Sequence, residues 1–161
     1  MESTSDASGT DLPFPETGRL LAVDYGTKRL GIAVSNAEQT IASPVENYTR
    51  RGLQEDARFL RRLLEEYRPR GIIVGLPVHM SGDEGGKARE ARDFGTWIIG
   101  VTGLPVRYAD ERFTSFVAEQ HLLAAELTKK QRKARLDMLA AQGILQGYLD
   151  KTHKTEPPGA M

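Results

Sequence analysis

The sequence predicts a single α/β domain with a mixed, five-stranded sheet flanked by helices, in the order β-β-β-α-β-α-β-α-α. Three observations predict it. The chain opens with apolar runs joined by short Gly-containing connections, as in hairpins. Strand and helix patterns alternate afterwards, as in parallel sheets. A length of 161 residues leaves room for one full domain and no second.

Leu20-Leu21-Ala22-Val23 is a short apolar run closed by Asp24-Tyr25-Gly26-Thr27, which predicts a buried strand ending in a turn. Leu30 to Val34 predicts its antiparallel partner, and Ile41 to Tyr48 a third strand. Leu53, Ala57, Leu60, Leu64 and Tyr67 recur at helical spacing until Pro69-Arg70-Gly71 stops the pattern. Gly71 to Pro77 reads as a buried strand, and Gly82 to Gly86 leads into a second helix. That helix carries Ala88, Ala91, Phe94 and Ile98, with Phe94 and Trp97 as packing residues. Leu104 to Tyr108 supplies the last strand. Thr114 or Ser115 can cap a third helix reaching Leu127, and a fourth runs from Ala134 to Asp150. Residues 1–17 and 151–161 read as flexible tails. The first is rich in Ser, Thr, Asp, Gly and Pro without the pattern of a signal peptide, and the second holds Pro157-Pro158-Gly159.

Several function classes drop out on composition. No apolar stretch approaches the roughly 20 residues that span a bilayer. The 22 basic residues balance the 22 acidic ones, so any nucleic-acid contact has to be a local patch. With no cysteine there are no disulfides, thiolate zinc sites or cysteine nucleophiles, which fits a reducing compartment. Ser81 and Ser115 have no evident His and acid partners, which removes a serine hydrolase.

Ligands of α/β sheets gather at the carboxyl ends of strands. Asp24 ends the first strand and Asp110-Glu111-Arg112 follow the last; spacing alone leaves Asp110 and Glu111 as alternatives. On the last helix, Asp137 falls within the apolar arc formed by Leu136, Ala140, Ala141, Ile144 and Tyr148. A carboxylate there needs a cationic partner, a proton or a metal ion. Acids from two strand ends and one sheet-facing helix form the oxygen-rich kind of cluster that holds Mg²⁺ or Mn²⁺. Ahead of the last helix, Lys129-Lys130-Gln131-Arg132-Lys133-Ala134-Arg135 reads as a basic loop, and cations at a helix amino end oppose the macrodipole unless they meet phosphate. Metal-holding acids beside phosphate-holding cations read as phosphodiester hydrolysis. His79, in a Gly-flanked loop near strand ends, is a lesser candidate for substrate contact, while His121 and His153 read as surface and tail positions.

Four stretches, in order across nearly all of residues 18–150, carry a resemblance. Asp24-Tyr25-Gly26-Thr27-Lys28-Arg29-Leu30-Gly31-Ile32-Ala33-Val34-Ser35 is followed by Val74-Gly75-Leu76-Pro77 and by Asp110-Glu111-Arg112-Phe113-Thr114. The last is Lys133 to Asp137 with Ala140-Ala141 and Ile144 to Leu149. Together they strongly resemble the YqgF family, Holliday-junction-resolvase-like proteins also called pre-16S rRNA nucleases. The resemblance implies a ribonuclease-H-like fold and a bacterial cytoplasmic nuclease, active as a monomer or weak homodimer, that matures the 5′ end of 16S rRNA in the assembling small ribosomal subunit. It implies a two-metal carboxylate site in which Asp24 and Asp137 ligate Mg²⁺ or Mn²⁺ and Glu111 bridges the metals or orients water. The implied substrate contacts are Lys28, Arg29, Arg112, Lys129, Lys130, Arg132 and Lys133. The chain departs from the family pattern at His79-Met80-Ser81-Gly82, at Asn36, and at Ala140, where true junction resolvases carry a further acid. Junction cleavage in branched DNA and a non-catalytic rRNA-binding role are the alternatives. A nucleotide-gripping ATPase, which the Asp24 turn also resembles, needs two lobes that this length does not hold.

Overall fold

Leu20–Tyr25 forms β1, the middle strand of a five-stranded sheet in the order β3-β2-β1-β4-β5. A computed structural model describes residues 13–76, 85–110 and 129–154, with side chains of the last segment from 139 to 152. β2 (Arg29–Ser35) and β3 (Ala42–Thr49) extend the sheet as antiparallel neighbours on one side. β4 (Gly71–Leu76) and β5 (Val106–Asp110) pair in parallel on the other. The carboxyl ends of β1, β3, β4 and β5 therefore share one edge of the sheet.

Helices cover both faces, which explains the unbroken apolar runs of β1 and β4. Leu21 and Val23, with Leu30, Ile32, Ile72 and Val74, face α1 (Leu53–Tyr67) and α2 (Gly86–Thr102). Leu20, Ala22, Ala33 and Ile73 face α3 (Lys129–Lys154), which seats Ala141, Ile144, Leu145 and Leu149 on them. Phe94 and Trp97 pack in the first of these cores. Gln142 and Gln146 of α3 also clamp the outer strand. Gln146 Oε1 accepts from the Ala42 amide at 2.9 Å, and Gln142 Nε2 donates to the Ala42 carbonyl at 3.1 Å, satisfying backbone groups that an edge strand leaves open. Among the described residues no helix is long and apolar enough to cross a membrane.

Several expected boundaries move. β5 starts at Val106 rather than Leu104, because the Pro105 carbonyl accepts from the Ile72 amide at 2.9 Å before the strand begins, and Asp110 becomes its last residue. The basic segment expected as a loop is helical from Lys129 onward, in keeping with the helix propensity of Lys, Gln and Arg. The same helix runs on past Asp150 to Lys154. Phe14, expected in a tail, packs edge-on against Tyr148 with ring centroids 5.8 Å apart. Leu53, expected in the apolar stripe of α1, is the helix's first residue and is 58% exposed. The expected helix from Thr114 to Leu127 lies outside the described residues.

Among the described residues one acid is fully buried. Asp56, in the first turn of α1, accepts from the Tyr48 hydroxyl at 2.8 Å, and Tyr48 stacks on Phe59 with centroids 3.8 Å apart. Burial pushes the Tyr48 hydroxyl up to about 12, and its bond to the Asp56 carboxylate pushes the same way. An unfolded tyrosine titrates near pH 10, so this contribution is whole below about pH 10 and is lost as the pH climbs through about 12. Melting curves over that range are expected to fall less steeply for Tyr48→Phe than for the wild type; equally steep curves would contradict the assignment.

Candidate active site

Asp24 stands at the shared edge of strand ends, half-buried, on the face of the sheet that α3 covers: it alternates with Ala22 and Leu20, whose side chains enter that core. Its surroundings are short. Gly31 is its register partner on β2, and the β1–β4 pairs from Leu20↔Gly71 to Val23↔Val74 place Gly75 next to it on the other side. Gly75 in turn pairs with Ala109 on β5. With strands about 5 Å apart, the two sheet neighbours of this acid carry no side chain. Beyond Gly31 comes Asn47 of β3, whose Oδ1 is buried with no hydrogen-bond partner among the described residues.

The turn after β1 closes the site. A Cβ on Gly26 would lie 2.5 Å from the Arg29 carbonyl oxygen, so the tight return into β2 requires glycine there. The resulting cavity of about 250 Å³ is lined by Asp24, Gly31, the turn residues from Tyr25 to Arg29, and Lys87. Among the described residues it holds one carboxylate, Asp24, and the cations Lys28, Arg29 and Lys87. A larger cavity of about 700 Å³ runs between β3 and α1, away from Asp24. Its charges are of mixed sign and partly matched, with Arg58–Glu55 at 3.4 Å and Arg62–Glu46 at 3.7 Å, so the smaller cavity is the better anion site.

Lys87 is the residue that sequence reasoning missed. It sits in the first turn of α2, whose amino end has Gly85 as its N-cap, no side-chain cap and no acid in the first turn. A lysine directly after Gly85-Gly86 at a helix start, where a carboxylate is the ordinary choice, was the available signal.

Of the residues predicted from sequence, Asp24, Lys28 and Arg29 meet in this cavity. Asp110 does not join them: it pairs with Leu76 and alternates with Tyr108 and Val106, which places it on the α1–α2 face, opposite Asp24. Glu111, Arg112 and His79 lie outside the described residues. Lys129, Lys130, Arg132, Lys133 and Asp137 belong to α3, but their side chains are outside the described ones. Position 137 is four residues before Ala141 and seven before Ile144, the stripe that lies on the sheet. Gln146 at Ala42 and Tyr148 at Phe14 anchor the carboxyl half of α3 at the far edge of the sheet, so its amino half runs toward the edge of Asp24.

Among the described residues no group of three or more His, Cys, Asp or Glu comes together to hold a metal. Asp24 offers what a hard divalent cation takes, an oxygen donor lining a cleft open to water.

Comparison with known proteins places the chain among nucleases. The profile of RuvX, described as Holliday junction resolvase, matches residues 18–151. A relative from Rhodopirellula baltica is 40% identical over 137 residues, covering 85% of this chain and 79% of the relative. One from Lactococcus lactis subsp. lactis is 42% identical over 134 residues, covering 82% and 94%. Both carry the name "Putative pre-16S rRNA nuclease". Among solved structures, a fowlpox virus resolvase bound to Holliday junction DNA matches with a TM-score of 0.54 at 14% identity, covering 83% of this chain and 98% of that one. Thermus thermophilus RuvC bound to a Holliday junction matches with a TM-score of 0.50 at 16% identity, covering 86% and 97%. These likenesses establish a ribonuclease-H-like fold.

Proposed function

The chain belongs to the RuvX family of Holliday junction resolvases, and from that premise we propose that it is a metal-dependent nuclease that matures the 5′ end of pre-16S rRNA in the cytoplasm, on the assembling small ribosomal subunit. The observation that carries this reading is the single cavity in which Asp24, between two glycines, faces Lys28, Arg29 and Lys87. An acid beside three cations in an open cleft suits a phosphodiester held beside a metal ligand. The names of the relatives support RNA as the substrate; the family's own description favours branched DNA as a second reading.

Asp24, Glu111 and Asp137 would hold Mg²⁺ or Mn²⁺. Asp110 faces the other side of the sheet, which favours Glu111 as the acid from the end of β5, and the run of α3 toward the Asp24 edge favours Asp137. When bound, the metal polarises the phosphate and lowers the pKa of water. The chain's own contribution is charge and placement. Lys28, Arg29 and Lys87 hold non-bridging phosphate oxygens against Asp24, and Arg112, Lys129, Lys130, Arg132 and Lys133 extend the grip along the backbone. Cations opposite an acid keep the phosphate from being repelled by the carboxylate that serves the reaction.

Binding of a 5′-extended 16S precursor fragment, followed from low to moderate salt, tests this assignment. Each phosphate contact on a single strand contributes about 0.7 to the slope of log K against log salt. Replacing Lys28, Arg29 and Lys87 together with Gln is expected to lower that slope by about 2. An unchanged slope would mean that the cavity does not meet the RNA backbone.

A further inference from the structure

Arg50, the residue after β3, joins three parts of the fold. Its Nε donates to Asp56 Oδ2 at 2.9 Å, its Nη1 donates to the Gly26 carbonyl at 3.2 Å, and its backbone amide donates to the Lys28 carbonyl at 2.9 Å. Its guanidinium carbon lies 5.6 Å from the centre of the Tyr25 ring and 5.3 Å from that of Phe94. The anchor is itself fixed: Asp56 is fully buried, and its Oδ1 accepts from the Tyr48 hydroxyl at 2.8 Å and the Arg51 amide at 3.0 Å. A rigid acceptor at the start of α1 thus aims a planar cation at the turn between Asp24 and Arg29. That turn supplies the cavity lining, save for Gly31 and Lys87.

The geometry points to Arg50 as a positioning residue for the cleavage reaction: braced on Asp56, it fixes the β1–β2 turn so that Asp24, Lys28 and Arg29 keep one relative placement. This rests on the nuclease reading of the Asp24 cavity. The role suits arginine in particular. One flat group must donate in two directions and lie against two rings, whereas an ammonium is a point charge on a flexible stem. Reacting groups held to within an ångström account for large factors in rate, so a loosened turn lowers turnover before it lowers binding.

The test compares the wild type, Arg50→Lys and Tyr48→Phe. Amide hydrogen exchange is followed in residues 25–29 and in β4, together with kcat, KM and RNA affinity on the precursor fragment. In Arg50→Lys, exchange in residues 25–29 is expected to speed up by about tenfold or more, the scale of one lost hydrogen bond to a charged group, while β4 exchanges as before. The kcat is expected to fall by about tenfold or more with KM and RNA affinity within about twofold. Tyr48→Phe removes a bond to the same Asp56 but leaves both contacts to the turn, so it is expected to lower the melting temperature without speeding exchange in the turn. The inference is overturned if Arg50→Lys leaves exchange and kcat unchanged, if it speeds exchange in β4 as much as in the turn, or if Tyr48→Phe loosens the turn equally. A wild type that cuts nothing would refute the nuclease reading, and the exchange comparison would still decide whether Arg50 fixes the turn.

Discussion

Asp24→Asn is expected to reduce phosphodiester cleavage by about a hundredfold or more while leaving the fold in place. The change keeps the shape of the side chain and removes the one charge that the described part of the cavity offers a cation. Losing a single preorganised electrostatic contact to a transition state is commonly worth that much, and a lost metal contact more. Its neighbours in the sheet are Gly31 and Gly75 and the side-chain shape is kept, so the melting temperature is expected to stay within about 3 °C. RNA affinity is expected to hold or rise, because a negative charge disappears from among Lys28, Arg29 and Lys87. Rate, melting and binding measured on one purified variant separate the possibilities. Full cleavage by Asp24→Asn would remove Asp24 from the site, and loss of cleavage together with folding would make its role structural.

The largest effect on stability is expected at Asp56. Asp56→Ala leaves Arg50 Nε, the Tyr48 hydroxyl and the Arg51 amide without the fully buried acceptor they share. Breaking a buried pair from one side costs about 3–5 kcal/mol, a large share of the 5–15 kcal/mol that holds a domain together. For a chain of this size the melting temperature is expected to drop by about 10 °C or more. Burial pushes the Asp56 carboxyl up, but the Arg51 amide, the Arg50 and Tyr48 side chains and the charge of Arg50 outweigh it and hold the group below the ordinary carboxylate value. A depressed carboxyl stabilises the fold above the unfolded value near pH 4, and that contribution is lost as the pH falls through the lower folded value. Acid titration of stability is therefore expected to be flatter in Asp56→Asn than in the wild type. Melting within about 2 °C of the wild type for Asp56→Ala would show that the network contributes little.

Much of this architecture was legible in the residues, for identifiable reasons. β1 and β4 are buried on both faces and announce themselves as unbroken apolar runs, and the turn at Gly26 marks where β1 stops, which put Asp24 at a strand end before any fold was known. Boundaries set by tertiary contacts were not legible. The start of β5 depends on a bond from Ile72 to Pro105, and the length of α3 depends on a sheet for it to lie on. Asp56 is marked by its spacing: it shares the buried stripe of Ala57, Leu60 and Leu63, as position 137 shares that of Ala141 and Ile144. Its partners Tyr48 and Arg50 come from the end of β3, a pairing that no periodicity reveals. The choice between Asp110 and Glu111 could not be made from spacing because it depends on which face of the sheet each position meets, and the register of β5 assigns Asp110 to the wrong one. Lys87 reaches the cavity only through the placement of α2 beside the turn.

Metal-dependent cleavage of RNA at the Asp24 cavity is tested most directly by incubating a 5′-extended 16S rRNA precursor fragment, beside a synthetic four-way DNA junction, with Mg²⁺ or Mn²⁺ and with EDTA. The RNA is expected to be trimmed with metal and left whole in EDTA, and the junction to be cut poorly or not at all. A junction cut efficiently while the RNA stays whole, or RNA trimmed equally in EDTA, would contradict it.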